Sequence, residues 1–299
     1  MTSTSMSSTN ISIITDSTSD IPPKIYKDNE YDLTVVPLSV TFNDKTYLDN
    51  GIDITPEKFF EMMSSSTEMP KASQPTPGNF MQVYQEKLSK GNEIISIHIS
   101  RKLSGTLNSA ELAANQIEKN SEKKQISIVD SELVHMPCGF LALRAAELAK
   151  KGLSRDEIIK EISIFREKIF SFFIPKSLDN LIKGGRINKI KGKLATMLEI
   201  KPILTLKDGE VALYKNTRKW ELAKKEVLDS METYLKNFSG KNLDLIVAIG
   251  DVANKEDADE IEEKIRKWFS PKDVIRTNIG IVVGSHLGIG GLGITFTYL

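Results

Sequence analysis

Short apolar runs alternate with amphipathic segments along the first half of the chain. Residues 11–14, 93–100 and 126–129 are rich in isoleucine or valine and are typical of buried strands. Helices are predicted between them, because Thr55-Pro56 and Thr76-Pro77 each combine a capping threonine with a proline in the first turn. Strands that alternate with helices predict βαβ units and a mostly parallel sheet.

A different pattern begins near residue 170. Asp208-Gly209 is typical of a two-residue hairpin turn, and residues 255–269 have the apolar spacing of an amphipathic helix. Short apolar runs predict further strands at residues 171–174, 200–206, 211–214, 243–249, 274–277, 280–283 and 293–298. A hairpin followed by helices and more strands indicates a mixed sheet.

The length of 299 residues suits two domains. We predict an α/β protein whose N-terminal domain, residues 11–169, is a mostly parallel sheet flanked by helices. The C-terminal domain, residues 170–299, is predicted to be a mixed sheet with helices. Residues 1–10 are rich in serine and threonine and are predicted to form a disordered tail. Ligands of parallel sheets bind at the carboxyl ends of strands, so the polar residues after 11–14 and 93–100 are candidates for a site.

Composition narrows the classes of function. The chain has 40 Lys+Arg and 40 Asp+Glu, and this balance argues against broad binding to nucleic acid or anionic membranes. Its one cysteine, Cys138, excludes an intramolecular disulfide. No apolar run approaches the roughly 20 residues of a membrane span, and the N-terminus lacks the basic start of a secretory signal. We expect a cytoplasmic protein that binds no nucleic acid and does not insert stably into a membrane.

Ser104-Gly105-Thr106 stands between the apolar run at 93–100 and a predicted helix. Helix N-termini present free backbone N–H groups and a partial positive charge, which attract carboxylates and phosphates. A simple capping role for Ser104 is the alternative. A nucleophile elbow would need glycine at position 102, and that residue is Lys102.

His286 lies in a glycine-rich segment, residues 284–290. Glycines let a backbone approach a ligand closely, although a lone histidine is also a common structural residue. Residues 288–293 match the letters G-x-G-x-x-G, but a dinucleotide site needs this motif to open a helix, and a strand is predicted here. A binding role and a structural role for His286 both stay open on these grounds.

A basic segment runs from Lys183 to Lys193 and contains Arg186, Lys189 and Lys191. It has two interpretations. One is a solvated basic loop at the end of a short helix. The other is a site for an anion or for an acidic partner.

No metal site is predicted. His98, His135 and His286 are far apart in the sequence and lack the spacing of metal ligands. Asp16 and Asp20 could hold a cation, but capping of their loop is the favoured interpretation.

Several short motifs occur in one order along the chain. They are Thr15-Asp16-Ser17-Thr18-Ser19-Asp20, Ser73-Gln74-Pro75, Leu103-Ser104-Gly105-Thr106, Gly184-Gly185-Arg186-Ile187 with Lys201-Pro202-Ile203-Leu204 after it, and Ser285-His286-Leu287-Gly288. Together they resemble the DegV family, which includes the fatty-acid-binding subunits of bacterial fatty acid kinases. The likeness runs from about Ile11 to the C-terminus. Each motif is modest alone, but their order in register is specific.

The resemblance implies a two-domain α/β fold with the ligand between the domains. It implies that Ser104 and His286, with a residue of the Ser73-Gln74-Pro75 loop, bind the carboxylate of a long-chain fatty acid such as palmitate or oleate. Arg186, Gly105 and Thr106 would support the head-group region. No cofactor is implied. A separate ATP-dependent kinase subunit would phosphorylate the bound carboxylate.

One position departs from the family pattern. The family often has threonine immediately before Ser-Gln-Pro, and this chain has Ala72 there. A hydroxyl contact to the carboxylate is therefore lost, unless Ser73 or a backbone N–H group at Ala72 replaces it.

The sequence leaves three functions in competition. The first is a non-enzymatic acyl carrier. The second is a stand-alone hydrolase or phosphotransferase that uses Ser104 and His286, against which the missing elbow and the missing third triad member count. The third is an interaction module that docks through residues 183–193.

Overall fold

The computed structural model describes residues 10–27, 31–187, 200–236 and 244–298. The strands of the first half are β1 (Ile11–Asp16), β2 (Leu33–Val36), β3 (Ser39–Phe42), β4 (Lys45–Leu48), β5 (Lys71–Ser73), β6 (Glu93–His98) and β7 (Ile126–Asp130). Its helices are α1 (Pro23–Lys27), α2 (Pro56–Ser64), α3 (Pro77–Ser89), α4 (Thr106–Ile117), α5 (Met136–Lys150) and α6 (Arg155–Arg166).

The second half contains the remaining described elements. Its strands are β8 (Phe170–Ile174), β9 (Lys201–Lys207), β10 (Glu210–Thr217), β11 (Leu245–Asp251), β12 (Asp273–Asn278) and β13 (Leu292–Tyr298). Its helices are α7 (Asp179–Lys183), α8 (Trp220–Lys236), α9 (Lys255–Phe269) and α10 (Ile281–Leu287).

The apolar runs of the first half form a parallel sheet, as predicted. Its strand order is β2-β1-β6-β7, and every neighbouring pair is parallel. A smaller antiparallel sheet with the order β4-β3-β5 comes from the same half. Because β1 and β6 are adjacent and parallel, the loops that follow them emerge at the same edge of the sheet.

The second half forms a mixed sheet with the order β10-β9-β8-β13-β11-β12. Only the pair β11 and β12 is parallel among these described strands. The hairpin turn at Asp208-Gly209 joins β9 to β10, and both turn residues have the positive φ that this turn requires. The α/β class with one parallel and one mixed sheet is thus confirmed. The division into domains at residues 169 and 170 stays a prediction.

Helices cover both faces of the parallel sheet. The side chains of α5 and α6 pack on one face, and those of α3 and α4 pack on the other. A separate apolar cluster joins the two halves of the chain, with Leu38 and Phe60 from the first half and Phe173 and Leu204 from the second. This cluster lies where the candidate site is found.

Sequence signals at the helix starts are confirmed where they are local. Thr55 accepts a hydrogen bond from the backbone N–H of Lys58 at the start of α2. Thr76 caps α3 and Ser154 caps α6, each in a reciprocal capping box. These caps depend on residues that are close in the chain, so their pattern can be recognised in the sequence.

The end of β1 is held by a buried polar network. The Asp16 carboxylate accepts hydrogen bonds from the N–H of Thr18 at 3.1 Å and from the N–H of Ile99 at 3.0 Å. It also contacts Nδ1 of His98 at 3.0 Å, and Nε2 of His98 contacts the hydroxyl of Ser96 at 2.7 Å. Asp16 therefore caps its loop, which is the interpretation that the sequence favoured. His98 is a structural residue that joins β1 to β6.

One predicted strand is corrected by the structure. Residues 280–283 do not form a strand, because Ile281–Leu287 is the helix α10. A short apolar run does not distinguish a strand from a buried helix, and the first turn of α10 is held by carboxylates from the other half of the chain. The apolar stretch at 33–42 forms β2 and β3 in different sheets, with Pro37 between them.

Candidate functional site

A cavity of about 420 Å³ is lined by residues from both halves of the chain. Most of its wall is apolar. The aliphatic and aromatic side chains that line it include Leu38, Ile99, Leu103, Val134, Phe173, Leu181, Leu204, Leu206, Val211, Val282 and Leu287. Its volume is within the usual range of small-molecule sites, which is roughly 300–1,000 Å³.

Polar groups are gathered in the same cavity. Ser73, Ser104, Gly105, Arg186 and His286 all line it, although they come from one strand, two loops or turns and one helix. Ala72 lines it too, and pairs with Val40 across β5 and β3. The structure thus brings together the site residues predicted from the sequence. Thr106 is the exception, because it is buried behind Ser104 and is not part of the cavity wall.

Ser104 is half-buried at the start of α4. Its hydroxyl oxygen accepts a hydrogen bond from the N–H of Thr106 at 3.2 Å and lies 2.9 Å from the Thr106 hydroxyl. Gly105 occupies the N-cap position and makes no side-chain cap. Ser104 therefore satisfies one N–H group of the helix start, and its hydroxyl proton can still be directed toward a ligand.

His286 lies in the last turn of α10, and not in the loop predicted from its glycine neighbours. Burial, together with the positive charge of Arg186, lowers the pKa of His286 from 6.5 to about 4. The imidazole is therefore neutral at pH 7. Its Nδ1 atom is buried and has no hydrogen-bond partner among the described residues. Nδ1 lies against Gly184, so Nε2 is the nitrogen by which this neutral histidine can bind a polar ligand group.

Gly184 leaves room for this histidine. A Cβ atom at position 184 would overlap Nδ1 of His286. The Gly184-Gly185 pair is visible in the sequence, but its relation to His286, about a hundred residues away, is not. Only the packing of α7 against α10 reveals that this glycine is part of the site.

Arg186 follows α7 and reaches the loop before α4. Its Nε donates to the carbonyl oxygen of Leu103 at 3.4 Å, and another guanidinium nitrogen donates to the carbonyl of Gly184. Burial lowers the pKa of Arg186. No carboxylate pairs with this guanidinium in the described part of the chain, so its charge is available to an anion.

Two further residues support the site: Gln74, which belongs to the Ser73-Gln74-Pro75 motif, and Asn180, for which the sequence carried no signal. The side chain of Gln74 covers Gly105 so closely that a Cβ there would overlap it, and its amide donates to the Ser109 hydroxyl at 3.2 Å. Asn180 of α7 donates to the carbonyl of Ser285 at 3.0 Å. Both residues hold the elements that carry Ser104 and His286.

A second cavity of about 500 Å³ adjoins the first. It shares Ser104 and Arg186 with the apolar cavity and is also lined by Arg101 and Lys102. This mouth is polar and basic. Lys189, Lys191 and Lys193 of the predicted basic segment lie outside the described residues.

The carboxylates of Glu221, Asp257 and Glu260 form a close group among the described residues, with oxygens within 4.8 Å of one another. The ammonium group of Lys224 lies among them, 2.6 Å from Asp257 and 2.9 Å from Glu221, and it also bonds to Glu260. A lysine therefore supplies the positive charge that this acidic group requires.

No described helix combines the length and the apolar character needed to cross a membrane. No hydrogen bond joins Ser104 to His286 among the described contacts.

Fold and cavity together define an α/β protein with one parallel sheet, one mixed sheet and a mostly apolar cavity whose wall also carries polar groups. Comparison with known proteins is consistent with this class. The model of the DegV family, described as "Uncharacterised protein, DegV family", matches residues 10–299. The chain belongs to the DegV family.

Similar proteins span almost the whole chain. A DegV domain-containing protein of Caldanaerobacter subterraneus subsp. tengcongensis, TTE1491, is 32% identical over 286 residues, which are 96% of this chain and 98% of that protein. A structure titled "Fatty Acid Binding of a DegV family Protein from Thermus thermophilus" has 30% identity, a TM-score of 0.87, and coverage of 97% of this chain and 100% of that one.

A second solved structure, from Eubacterium ventriosum, is described as a stearic acid-binding protein. It is 26% identical to this chain with a TM-score of 0.86, and the match covers 96% of this chain and 98% of that one. Both structures share the fold described above.

Proposed function

We propose that this protein binds one long-chain fatty acid, with the acyl chain in the apolar cavity and the carboxylate at Ser104 and His286. One observation carries the proposal. The wall of the mostly apolar cavity also carries a hydroxyl, a neutral imidazole, and a guanidinium that has no carboxylate partner among the described residues. A long apolar chain with one terminal anion matches this arrangement.

The energetics favour a ligand of this kind. Burying about 14 methylenes of a 16-carbon chain at ~0.8 kcal/mol each contributes roughly 11 kcal/mol before the costs of binding. The carboxylate needs donors, because burying an unpaired charge is very costly. Ser104, His286 and Arg186 supply donors, and Gly105 and Thr106 hold Ser104 at the start of α4. The similar proteins of Thermus thermophilus and Eubacterium ventriosum are described as binding fatty acids.

A third contact to the carboxylate is proposed at β5. Ser73 and Ala72 both line the cavity. The hydroxyl of Ser73 or the backbone N–H of Ala72 would take the place of the threonine that is common in the family. Replacing Ser73 by alanine distinguishes the two, because only a hydroxyl contact is lost in that variant.

We further propose that the protein presents the carboxylate to a separate ATP-dependent kinase subunit, which forms the acyl phosphate. The polar mouth next to Ser104 supports this, since three cationic side chains and one carboxylate line it: Arg101, which pairs with Glu111 and Asp130, then Lys102, Arg186 and Glu210. A phosphoryl group that approaches the carboxylate would meet positive charge there. On this proposal the protein is a non-catalytic lipid-binding subunit, located in the cytoplasm.

The first experiment is a test of the ligand. Protein purified from its natural source or from bacteria is denatured, and the organic extract is analysed by mass spectrometry. We expect a fatty acid in about equal amount to the protein, and we expect the delipidated protein to bind palmitate or oleate. A protein that contains no fatty acid and binds neither one would refute the proposal.

A second experiment separates the acyl carrier from the stand-alone enzyme. A hydrolase or phosphotransferase would turn over acyl esters or acyl phosphates without a partner, and a serine-reactive probe would label Ser104. We expect neither result, because Ser104 has no hydrogen-bonded base in the described structure. With a fatty acid kinase subunit and ATP, we expect acyl phosphate to form from the bound acid.

A further inference from the structure

Helix α10 forms one wall of the acyl cavity, and its N-terminus is anchored in the other half of the chain. Four of its seven residues line the cavity. The N–H of Gly280 donates to Oδ1 of Asp20 at 3.0 Å, and the N–H of Ile281 donates to Oδ1 of Asp49 at 3.1 Å. Asp20 follows β1 and Asp49 follows β4, so two loops of the first half determine where this wall lies.

The two carboxylates face the same point of the backbone. A Cβ atom at Gly280 would lie 2.6 Å from Oδ1 of Asp20 and 2.9 Å from Oδ1 of Asp49, which is closer than real contacts allow. Asp20 is buried and its Oδ2 contacts Nδ1 of His135 at 2.6 Å. The Oδ2 atom of Asp49 is buried, and the side chain that lowers the pKa of this carboxyl by a hydrogen bond is the neutral hydroxyl of Ser17. Asp49 is therefore the member without a counter-charge.

Asp20 and Asp49, called the pair below, are surrounded by groups of both charges. The titratable and charged groups that face Asp20 and Asp49 are Asp16 and His135 on their own side, and Tyr26, Glu57 and Arg276 around a neighbouring cavity of about 440 Å³. Arg276 already contacts Asp251 and Asp259, each at 3.4 Å. The guanidinium thus serves other carboxylates, and the cavity beside Asp49 gives its side chain space to withdraw.

Protonation of the pair follows from this burial. Desolvation by burial raises the pKa of Asp20 and raises that of Asp49 to about 7, and the negative charge of Asp20 adds to the effect on Asp49. Two such carboxylates titrate as a unit and hold one proton near neutral pH. Because the pKa is raised in the folded protein, this proton is present at lower pH and is lost as the pH rises through about 7.

We propose that Asp20 and Asp49 are positioning residues that hold α10 against the ligand as a pair with one shared proton, so that loss of the proton weakens ligand binding. With both carboxylates charged, repulsion drives the Asp49 side chain toward the adjacent cavity. The N–H of Ile281 then lacks its partner, and the wall that carries His286 moves. This inference rests on the proposed function, because the affinity for fatty acid reports the position of α10.

The experiment compares the wild type with Asp49→Asn by measuring the dissociation constant for oleate from pH 6 to pH 8.5. If the protein binds oleate only while the pair holds its proton, the affinity of the wild type for oleate falls about tenfold between pH 6 and pH 8. The dissociation constant of Asp49→Asn stays constant over this range, because the amide of asparagine can accept from the N–H of Ile281 and donate to Asp20 at every pH. The ionisation of oleate is common to both proteins, and His286, with a pKa of about 4, does not titrate in this range.

Two further variants complete the comparison. Asp44→Asn removes an exposed carboxylate from the turn between β3 and β4 and should keep the wild-type pH profile. Asp20→Asn removes the repulsion on Asp49 from the other side and should flatten the profile as Asp49→Asn does. It replaces Asp49→Asn as the test if that variant fails to fold, because asparagine tolerates the positive φ of position 20.

The outcomes are distinct. Identical pH profiles in the wild type and Asp49→Asn overturn the shared proton while leaving fatty acid binding intact. A folded Asp49→Asn that binds oleate at no pH also overturns it, because the charge and not the proton is then required. A wild type that binds oleate at no pH overturns the proposed function and this inference together.

Discussion

Gly184 lies directly against the imidazole of His286, and a methyl group at that position would overlap Nδ1. Gly184 directly follows α7, and His286 belongs to α10. Four strands of the mixed sheet, β9 to β12, lie between these two helices in the sequence. Asn180 of α7 also donates to the carbonyl of Ser285. The segment that carries Arg186 and the helix that carries His286 are thus packed as one polar end of the cavity.

Gly184→Ala is therefore expected to weaken fatty acid binding. The added methyl must displace the imidazole, and overpacking of this kind typically costs about 1–3 kcal/mol. Binding of palmitate, followed by calorimetry or by fluorescence displacement, measures the effect. Gly78→Ala is the matched control, because a Cβ there makes only an ordinary contact of 3.6 Å with Thr76. Equal affinity in both variants would remove Gly184 from the site.

Ser104→Ala and His286→Ala are expected to weaken binding of the carboxylate by about 1–3 kcal/mol each, the usual cost of leaving a buried polar group unpaired. A long-chain alcohol, which lacks the carboxylate, should be affected less in both variants. Ser163→Ala on the exposed surface of α6 provides the control. If both site variants keep the wild-type affinity for palmitate, the assignment of the head-group site is wrong.

The stability of the ligand-free protein should depend on pH through His286. Its pKa is lowered to about 4 in the folded state by burial and by Arg186, so between about pH 4 and 6.5 the unfolded chain binds more protons than the folded one. Stability therefore falls as the pH falls through this window, by up to about 3 kcal/mol. Thermal unfolding as a function of pH measures it.

His286→Asn is the control for that dependence, because it removes the titrating group and keeps a polar side chain of related shape. The difference in unfolding temperature between the two proteins should be greater at pH 6.5 than at pH 4.5, with the wild type losing more stability on acidification. Bound fatty acid should reduce the loss, since a carboxylate beside the imidazole favours its protonated form. A difference that is constant with pH contradicts this prediction.

Lys224→Ala is expected to destabilise the protein without changing ligand affinity. The side chain is 2% exposed and its ammonium group contacts Glu221, Asp257 and Glu260. Its removal leaves three carboxylates together. Because Glu221 is largely exposed to solvent and Glu260 is partly exposed, we expect a loss of about 2 kcal/mol, below the 3–5 kcal/mol of a fully buried pair. Urea unfolding measures the loss.

Lys225→Ala is the matched control for this change. Lys225 is the next residue of α8, and it pairs with Asp229 on the exposed surface. An exposed pair of this spacing contributes only about 0.3–0.5 kcal/mol. Similar losses in the two variants would show that the buried position of Lys224 has no special role.

Features that depend on neighbouring residues were determined by the sequence itself. Alternating apolar runs and capped helices predicted the parallel sheet, and Asp208-Gly209 predicted the hairpin between β9 and β10. Ser104 and His286 could be selected as site residues because their motifs occur in order with others of the DegV family. Such signals are local or depend on motif order, and both are readable without coordinates.

Features that depend on residues far apart in the chain were decided only by the tertiary structure. Residues 280–283 form a helix and not the predicted strand, since Asp20 and Asp49 from the other half satisfy its first N–H groups. The neutral state of His286 likewise follows from burial beside Arg186. Hydrogen bonds and desolvation act through space, so no pattern of neighbouring residues in the sequence could reveal them.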